Sequence, residues 1–254
     1  WIPVELAMGY TGPLICVAGP YAITENGRTR YLFPMHRNTR RNDPLGSRDH
    51  FVLSSTSLME WNLAGFIPQP ISGPKVFLHE GNIDAGEVPG EIKMVMRTAD
   101  YEDERKMTDP PRAFSTASRD GGRTWSKNAT LKADTCECCW NQLTIGPNGT
   151  LHVLFRDKQP RDMALVSSHD HGATWEKPVT VGAFNWDFPG CPHVGGGLLA
   201  LTNTLHAVVW TGATGHGGAY HLRRATPAGA WSAPQALGDS DARRGDLAFR
   251  LLPL

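Results

Sequence analysis

The chain of 254 residues lacks three features that mark common functional classes. It has no net charge, since 25 Lys and Arg residues balance 25 Asp and Glu residues, and its arginines are dispersed among acids. It has no apolar run near the roughly 18 residues of a membrane-spanning helix, and no sustained apolar stripe at helical spacing. We therefore expect no nucleic-acid partner, no anionic membrane partner, no membrane span and no helical fold.

A repeated eight-residue motif is the most informative feature that is present. SRDGGRTW at 118–125 and SHDHGATW at 168–175 both fit S-x-D-x-G-x-T-W and stand 50 residues apart. Such a period indicates a copied and stacked supersecondary unit. In a tight turn the Asp accepts N–H bonds, the Gly supplies positive φ and the Trp folds back as an apolar plug. We interpret the motif as structural, and its positions are Ser118, Asp120, Gly122, Thr124, Trp125, Ser168, Asp170, Gly172, Thr174 and Trp175.

Two further series of residues extend the repeat to four units. Trp61 and Trp231 each end a segment that resembles a decayed copy of the motif. Hairpin turns are predicted upstream of each unit's Trp, at Asn26-Gly27, Pro89-Gly90, Asn148-Gly149 and Asn203-Thr204. With 27 Gly and 19 Pro residues, the chain is predicted to be an all-β β-propeller of four-stranded blades in a single domain. The predicted blades are 10–70, 71–133, 134–183 and 184–239, followed by the start of a fifth at 240–254.

These motifs and the blade pattern resemble the sialidase (neuraminidase) superfamily of Asp-box, or BNR-repeat, proteins over nearly the whole chain. The unit that runs from Pro89-Gly90-Glu91 through MVMRT at 94–98 to the first motif is similar to sialidase-like blades in detail. The resemblance implies a six-bladed propeller, so we expect the chain to be part of a longer protein; a compact propeller of four or five blades is the alternative. A signal peptide is expected outside the chain, with an extracellular or periplasmic location.

The predicted propeller has two different edges. The Asp-box turns occupy one edge of each blade, here called the box edge. The loops between second and third strands and the crossovers between blades open at the other, here called the crossover edge. The crossover-edge segments are rich in ionisable residues and comprise 36–50, 98–112, 156–162 and 211–218, with crossovers 79–84, 134–140, 186–193 and 239–246. We expect the ligand site at the crossover edge.

Arginines at comparable positions of successive units are the candidate substrate-binding residues. Arg97 and Arg156 each lie seven residues past the Gly of their unit's hairpin turn, and Arg37 falls near the same level. Sialidases hold the substrate carboxylate with three arginines, whose planar forks suit it. By analogy with that arrangement, the predicted substrate-binding residues are Arg37, Arg97, Arg156, His36 and His79. The alternative is that Arg97 and Arg156 are inter-blade ion-pair partners of acids such as Asp100 and Asp157.

A glycosidase also needs a general acid, and a retaining sialidase needs a tyrosine nucleophile with a carboxylate partner. Glu80 and Asp84 are the first predicted catalytic carboxylates, because they are expected to begin the inner strand of the second blade. Asp43 and Asp49, on the long first loop, are the second pair. Tyr101 is the one tyrosine of these loops and is the candidate nucleophile. The alternative for each carboxylate is a solvated or turn-capping role.

Four of the five cysteines gather between the third and fourth units. In an exported protein we expect one or two disulfides that tie adjacent crossovers, for example Cys191 with one of the trio Cys136, Cys138 and Cys139. A zinc or copper site made from Cys136, Cys138, Cys139, Cys191 and His193 is a second interpretation, and buried thiols are a third. Cys16 is interpreted as a small core residue. No cofactor is predicted.

Two functional hypotheses follow. The first is a sialidase-like exo-glycoside hydrolase that binds an acidic sugar through arginines and protonates its glycosidic oxygen with a carboxylate. The second is a non-catalytic BNR propeller that binds glycan or protein through the same loops. Carbohydrate or a glycoconjugate is the expected partner in the first hypothesis and one of the expected partners in the second.

Overall fold

The computed structural model describes residues 14–16, 20–25, 27–37, 50–67, 77–85, 91–99, 112–127, 129–136, 139–190, 192–226 and 229–238. Within these ranges the regular secondary structure is β-strand throughout, arranged in four antiparallel sheets. Each sheet is a meander in which strands that follow one another in the sequence are neighbours, apart from the split first strand of the first sheet. The all-β prediction is therefore confirmed for the described residues.

The first sheet contains a first strand that is split in two. Its elements are β1 (Leu14–Cys16), β2 (Tyr21–Glu25), β3 (Arg28–Arg37), β4 (His50–Ser55) and β5 (Asn62–Ile67). Cys16 lies opposite Met35 and Tyr21 lies opposite Leu32, so β1 and β2 pair with the two ends of β3. The sequence predicts one continuous strand here, over 14–24. Residue 20, a proline between the two strands, has no N–H to donate to a ladder, which accounts for part of the interruption.

The other three sheets each have four strands. The second contains β6 (Phe77–Ala85), β7 (Ile92–Ala99), β8 (Arg112–Ser118) and β9 (Ala129–Ala133). The third contains β10 (Gln142–Ile145), β11 (Leu151–Arg156), β12 (Met163–Ser168) and β13 (Val179–Val181). The fourth contains β14 (Gly197–Ala200), β15 (Thr204–Thr211), β16 (Gly218–Ala225) and β17 (Gln235–Leu237).

The last strands of the second and third sheets begin later than the sequence predicted. They were expected from Thr124 and Thr174, but β9 starts at Ala129 and β13 at Val179. In both units the backbone N–H two residues after the Thr bonds to the carbonyl of the residue before the box serine: Ser126 to Ala117 at 2.7 Å and Glu176 to Ser167 at 2.9 Å. The motif's Thr and Trp therefore belong to the turn, and the strand starts only after the turn has closed.

Both copies of the motif form the same closed turn. In the first, Ser118 Oγ donates to Asp120 at 2.8 Å and accepts the N–H of Gly122 at 2.8 Å. The Asp120 carboxylate also accepts the N–H of Thr124 at 2.8 Å and its hydroxyl at 2.6 Å. In the second copy Ser168, Asp170, Gly172 and Thr174 repeat these bonds. Gly122 and Gly172 have φ of 89° and 87°, in the region that favours glycine.

The chain divides into two compact units that are larger than the sequence repeats. The first unit is Trp1–Met107 with Phe114–Thr130, and the second unit is Thr108–Ala113 with Leu131–Leu254. From here on, first unit and second unit refer to these two. The core of the first unit joins two sheets, since Leu32 of β3 clusters with Ile92 and Met94 of β7, and Trp125 packs against that cluster. The core of the second unit joins the other two sheets, because Leu165 of β12 clusters with Leu205 of β15. Each unit therefore has a hydrophobic core shared by a pair of sheets.

The Asp170 carboxylate of the second Asp-box turn should make the stability of the folded chain depend on pH in the acid range. Hydrogen bonds from the hydroxyl and N–H of Thr174 lower the pKa of Asp170 from 3.8 to about 2. Because these bonds favour the charged form in the folded state, their stabilisation is present above the unfolded pKa and is lost as the pH falls toward about 2. We expect Asp170→Ala to lower Tm at neutral pH and to weaken the decline of Tm between about pH 4 and pH 2. Thermal melts across this pH range measure both effects.

The matched control is Asp187→Ala, which removes an exposed aspartate of the same unit that accepts one bond, from Gln159 Nε2 at 3.0 Å. This variant should keep the acid profile of the parent chain. An Asp170→Ala protein whose Tm falls in acid as steeply as that of the parent would contradict the assignment.

Candidate functional site

Arg156 is the central residue of the crossover edge in the second unit. It ends β11, opposite Met163 of β12, and its side chain is buried at 1% exposure. Its Nε donates to the Val194 carbonyl at 2.9 Å, its Nη2 to the Trp210 carbonyl at 2.9 Å and its Nη1 to the Arg161 carbonyl. These carbonyls belong to the loop after β11, the crossover before β14 and the end of β15. One guanidinium thus connects three segments of the edge.

The charge of Arg156 is buried together with an acid. Burial lowers the pKa of Arg156 from its usual value, while Cys139, Cys136 and Asp162 act in the opposite direction. An arginine remains protonated in proteins in spite of such a shift. The Asp162 side chain is itself 3% exposed, and its carboxylate accepts the N–H of Asn185 at 2.8 Å and that of Trp186 at 3.2 Å. Asp162 therefore holds the crossover backbone while it offsets part of the buried positive charge.

The ring of Trp186 covers the guanidinium and is itself packed against two further aromatic rings. The Trp186 ring centroid lies 5.2 Å from Arg156 Cζ, a cation–π distance. Trp186 stacks on Phe188 with centroids 5.5 Å apart and meets Trp210 edge-on at 5.2 Å. Trp186 is buried, whereas Phe188 and Trp210 are half-buried. Half-buried aromatic rings supply the amphipathic contact area that binding sites use.

Polar side chains lie in the same loops and crossovers as this aromatic cluster. Asp187 is exposed and accepts from Gln159 Nε2 at 3.0 Å, and Asp157 pairs with Lys132. Lys158 lies 3.6 Å from the Asp134 carboxylate, and His193 is exposed. Carboxylate oxygens accept hydroxyl hydrogens, which are the principal donors of a sugar. The edge therefore combines apolar rings with acceptors.

Arg156 was predicted to bind substrate, and that role stays a prediction. In the structure its three nitrogens donate to the backbone carbonyls of Arg161, Val194 and Trp210. The side chain therefore holds the backbone of these three segments together. The alternative pairing with Asp157 is not the contact observed for that acid, since Asp157 pairs with Lys132. Within the described residues, Asp162 is the acid whose charge acts on Arg156.

The other predicted binding residues are placed by their backbones. Arg37 ends β3 opposite Leu14, and His36 lies opposite His50. Arg97 lies opposite His79 near the end of β7. All four stand near the crossover ends of their strand pairs, and their side chains lie outside what the structure describes; their role in binding stays a prediction.

The predicted catalytic carboxylates fall at different levels of one strand. Residues 79–84 were expected in a crossover, but they lie inside β6, which is a correction. Glu80 falls in an irregularity of register between His79 and Asn82, and a bulge of this kind allows the strand to continue. Asp84 lies opposite Lys93, four residues from Arg97 along β7, a separation of roughly 13 Å at 3.3 Å per residue. The register therefore places Glu80 next in sequence to the residue that pairs with Arg97, whereas Asp84 pairs four residues away from Arg97.

The remaining predicted site residues are only partly described. Asp43, Asp49, Tyr101, Cys138 and Cys191 lie outside the described residues. Among the residues that the structure does describe, no three His, Cys, Asp or Glu side chains form a group suited to a metal ion. The metal and disulfide interpretations that use Cys138 or Cys191 stay predictions.

The sequence did not identify the two residues that contact or neutralise the Arg156 guanidinium. These are Asp162, whose charge opposes the effect of burial, and Trp186, whose ring lies over the guanidinium. Both lie in segments assigned to the crossover edge, but nothing in one sequence distinguishes a buried acid at the end of a loop from a solvated one. It also missed Glu91 and Lys93, a buried ion pair at 2.9 Å in the first unit. The alternation of polar residues in 91–95 is the signal that could have suggested a paired interior position.

Histidines in the strands of the second unit make contacts with neighbouring strands. His152 is buried and shares a 2.9 Å hydrogen bond with Ser167. Burial lowers the pKa of His152 from 6.5 to about 4, with Arg224 and His169 acting in the same direction. His206 and His221 lie 3.0 Å apart and stack. The lowered pKa keeps His152 neutral near pH 7, which fits its buried position.

The sequence and the structure of the chain were compared with those of known proteins. A family model described as a BNR repeat-like domain matches residues 37–206. No curated protein matches the sequence. In the described part of the chain there is no helix with the length and hydrophobicity needed to cross a membrane.

Solved structures share the fold at low sequence identity. An exo-β-1,3-galactanase from Clostridium thermocellum has a TM-score of 0.52 and 12% identity, covering 88% of this chain and 49% of that one. A GH43 β-1,3-galactosidase, BT3683, with galactodeoxynojirimycin has a TM-score of 0.55 and 12% identity, covering 90% and 79%. An exo-β-1,3-galactanase from Phanerochaete chrysosporium with β-1,3-galactotriose has a TM-score of 0.50 and 12% identity, covering 87% and 50%. The chain thus spans about half the length of the first of these proteins, and the likeness shows an all-β fold of the β-propeller type.

Proposed function

Because the chain belongs to the family of BNR repeat-like domains, we propose that it is a glycoside hydrolase-like β-propeller with its carbohydrate site at the crossover edge. For the second unit, the observation that carries the proposal is the cluster of Arg156, Trp186, Phe188 and Trp210. The candidate catalytic residues lie in the first unit and are proposed separately from this cluster. Fold alone does not define a reaction. The support comes from ring surface and hydrogen-bond acceptors on the edge where propeller loops gather.

The proposed substrate is an acidic-sugar glycoside of the sialic acid type. Arg37 and Arg97 support it, because both stand near the crossover ends of their strand pairs in the first unit. A planar, permanently charged guanidinium binds a carboxylate through two parallel hydrogen bonds.

In the proposed reaction the general acid is Glu80, whose neighbour His79 pairs with Arg97 across β6 and β7. It protonates the glycosidic oxygen while positive charge develops on the sugar ring. Asp84, Asp43 and Asp49 are further candidates for this role, and Tyr101 is the candidate nucleophile.

A neutral β-galactoside is the second candidate substrate. It is favoured by the solved structures that share the fold, among them an exo-β-1,3-galactanase and a β-1,3-galactosidase. A neutral sugar needs no arginine fork, and the rings and carboxylates of the second unit suit its hydroxyl groups and apolar faces.

A non-catalytic carbohydrate-binding role is the third candidate. It is favoured by Arg156, whose guanidinium is committed to three backbone carbonyls and therefore stabilises the edge. A crossover edge held in this way can bind sugar even where it carries no general acid or nucleophile.

We expect hydrolysis of a fluorogenic N-acetylneuraminic acid glycoside between about pH 4 and pH 8 by the natural full-length protein. Glu80→Gln should lower kcat by roughly 100-fold or more, the scale of a lost general acid. Arg97→Lys should raise KM, because a lysine cannot form the bidentate pair. Initial rates over a range of substrate concentrations separate the two effects.

The matched control is Glu176→Gln, since Glu176 is an exposed carboxylate at the box edge that contacts His169 at 3.1 Å. It should leave kcat and KM unchanged. Turnover of a β-galactoside in place of the sialoside would shift the proposal to neutral sugars. Glycan binding without turnover of either substrate would establish the binding module.

A further inference from the structure

Two cysteine side chains meet beneath the crossover edge of the second unit. The Sγ atoms of Cys136 and Cys139 lie 3.2 Å apart, and the residues are 2% and 1% exposed. A disulfide joins two Sγ atoms at about 2.05 Å. Closing the remaining gap needs a movement of little more than 1 Å. The two residues are separated by two positions, the spacing of a C-x-x-C pair.

The chain on the N-terminal side of the pair is fixed to the strand that carries Arg156. The Cys136 N–H donates to the Arg156 carbonyl at 3.0 Å. Thr135 forms an isolated antiparallel bridge with Asp157. Since one partner is anchored and the other is three residues away, the two thiols are held near the reacting geometry before any bond forms.

We propose that Cys136 and Cys139 form an intrachain disulfide that closes the segment before β10. This assigns a pairing that differs from the one expected from the sequence, in which Cys191 was the partner of one cysteine of the trio. It is independent of the proposed function, because it concerns the scaffold of the edge and not the substrate.

The reaction is a thiol–disulfide exchange with a small-molecule disulfide such as oxidised glutathione. One thiol of the pair, as its thiolate, attacks the reagent and forms a mixed disulfide, releasing one glutathione. The second thiolate then attacks the bound sulfur and releases the other glutathione. In total the pair loses two electrons and two protons, and one reagent disulfide is reduced to two thiols.

The folded pair is poorly reactive by itself. Burial raises the pKa of the Cys139 thiol, and the neighbouring Cys136 raises it further, whereas Arg156 acts in the opposite direction. The thiolate is the attacking species. Exchange therefore proceeds when the segment opens during folding or local unfolding, and the bond is protected once the segment closes.

The disulfide has a consequence for the edge. Cys139 contacts the Arg156 guanidinium, which also holds the Val194 and Trp210 carbonyls. Linking Cys139 to Cys136 connects it covalently to the residue whose N–H binds the Arg156 carbonyl. The bond would fix both the backbone and the side-chain environment of Arg156.

The test uses a Cys138→Ser variant of the full-length protein, so that Cys136 and Cys139 are the two remaining cysteines of the peptide 133–156. The protein is refolded with a mixture of oxidised and reduced glutathione, alkylated in denaturant and digested after Lys and Arg. We expect the peptide to lack two hydrogens and to carry no alkyl group. We also expect the oxidised variant to melt about 4 °C above its reduced form.

The matched control adds Cys139→Ser to the Cys138→Ser variant, which should remove both the mass loss and the gain in Tm. A crosslink between the peptide 133–156 and the peptide that contains Cys191 would overturn the proposal. So would full alkylation of Cys136 and Cys139 after oxidative refolding. Because the readout is mass and melting temperature, a failure here is distinct from a failure of the proposed glycosidase activity.

Discussion

Arg156→Met is expected to lower the free energy of unfolding of the second unit by about 3 to 5 kcal/mol, the scale of breaking a buried charged network. The variant leaves the carbonyls of Arg161, Val194 and Trp210 without their donor. It also leaves the Asp162 carboxylate buried without the nearby positive charge. Denaturant unfolding, followed by tryptophan fluorescence of this unit, measures the loss.

Two variants make the result specific. Arg223→Met removes an exposed arginine of β16 and should change the unfolding free energy by no more than about 0.5 kcal/mol. Arg156→Lys keeps the charge but cannot reach three acceptors in one plane, so it should recover only part of the loss. If Arg156→Met folds with unchanged stability and fails to bind sugar, Arg156 is a substrate-binding residue, as the sequence predicted.

Gly65→Ala is expected to destabilise the first unit by about 3 kcal/mol, at the upper end of overpacking effects. Gly65 lies in β5, and a Cβ there would stand 2.2 Å from the carbonyl oxygen of Arg123 and 2.5 Å from that of Gly122. Both are backbone atoms of the first Asp-box turn, which is also held by Arg30, whose Nη1 donates to the Gly121 carbonyl at 2.7 Å. Neither side of the contact can yield by a side-chain rotation, so the strand or the turn must shift.

The control for this substitution is Gly217→Ala, because no atom lies within 4 Å of a Cβ built at that glycine. It should leave Tm nearly unchanged. Thermal melts of the two variants beside the parent chain give the comparison. A Gly65→Ala protein with the melting temperature of the parent would show that β5 does not pack on the turn as described.

The sequence located most of the strands but not their side-chain partners. Turn residues at Asn148-Gly149 and the Asp boxes have local causes, and so β11 and β12 match the strands predicted at 150–156 and 163–168 to within one residue. The limits of β9 and β13 were wrong because the turn bonds extend past the motif's Trp. The extension of β6 through 79–84 was missed because a bulge depends on the partner strand.

The role of Arg156 shows why the site was harder to predict. Repeat spacing placed it correctly at the end of a strand. Its acceptors at Val194 and Trp210 are 38 and 54 residues away in the sequence, in segments whose backbone has no repeating signal. The same sequence position could present the guanidinium to solvent or enclose it, and the choice depends on loops that the motif does not encode.

The way in which Arg156 holds the edge has a consequence for sequence variation. Its three acceptors are main-chain oxygens, which every amino acid provides, so the anchor imposes no side-chain requirement at those three positions. The anchor is therefore indifferent to the side chains at 161, 194 and 210, and substitutions there leave its three acceptors in place. Side chains of the loops can thus change the specificity of the edge while the backbone contacts that hold it stay the same.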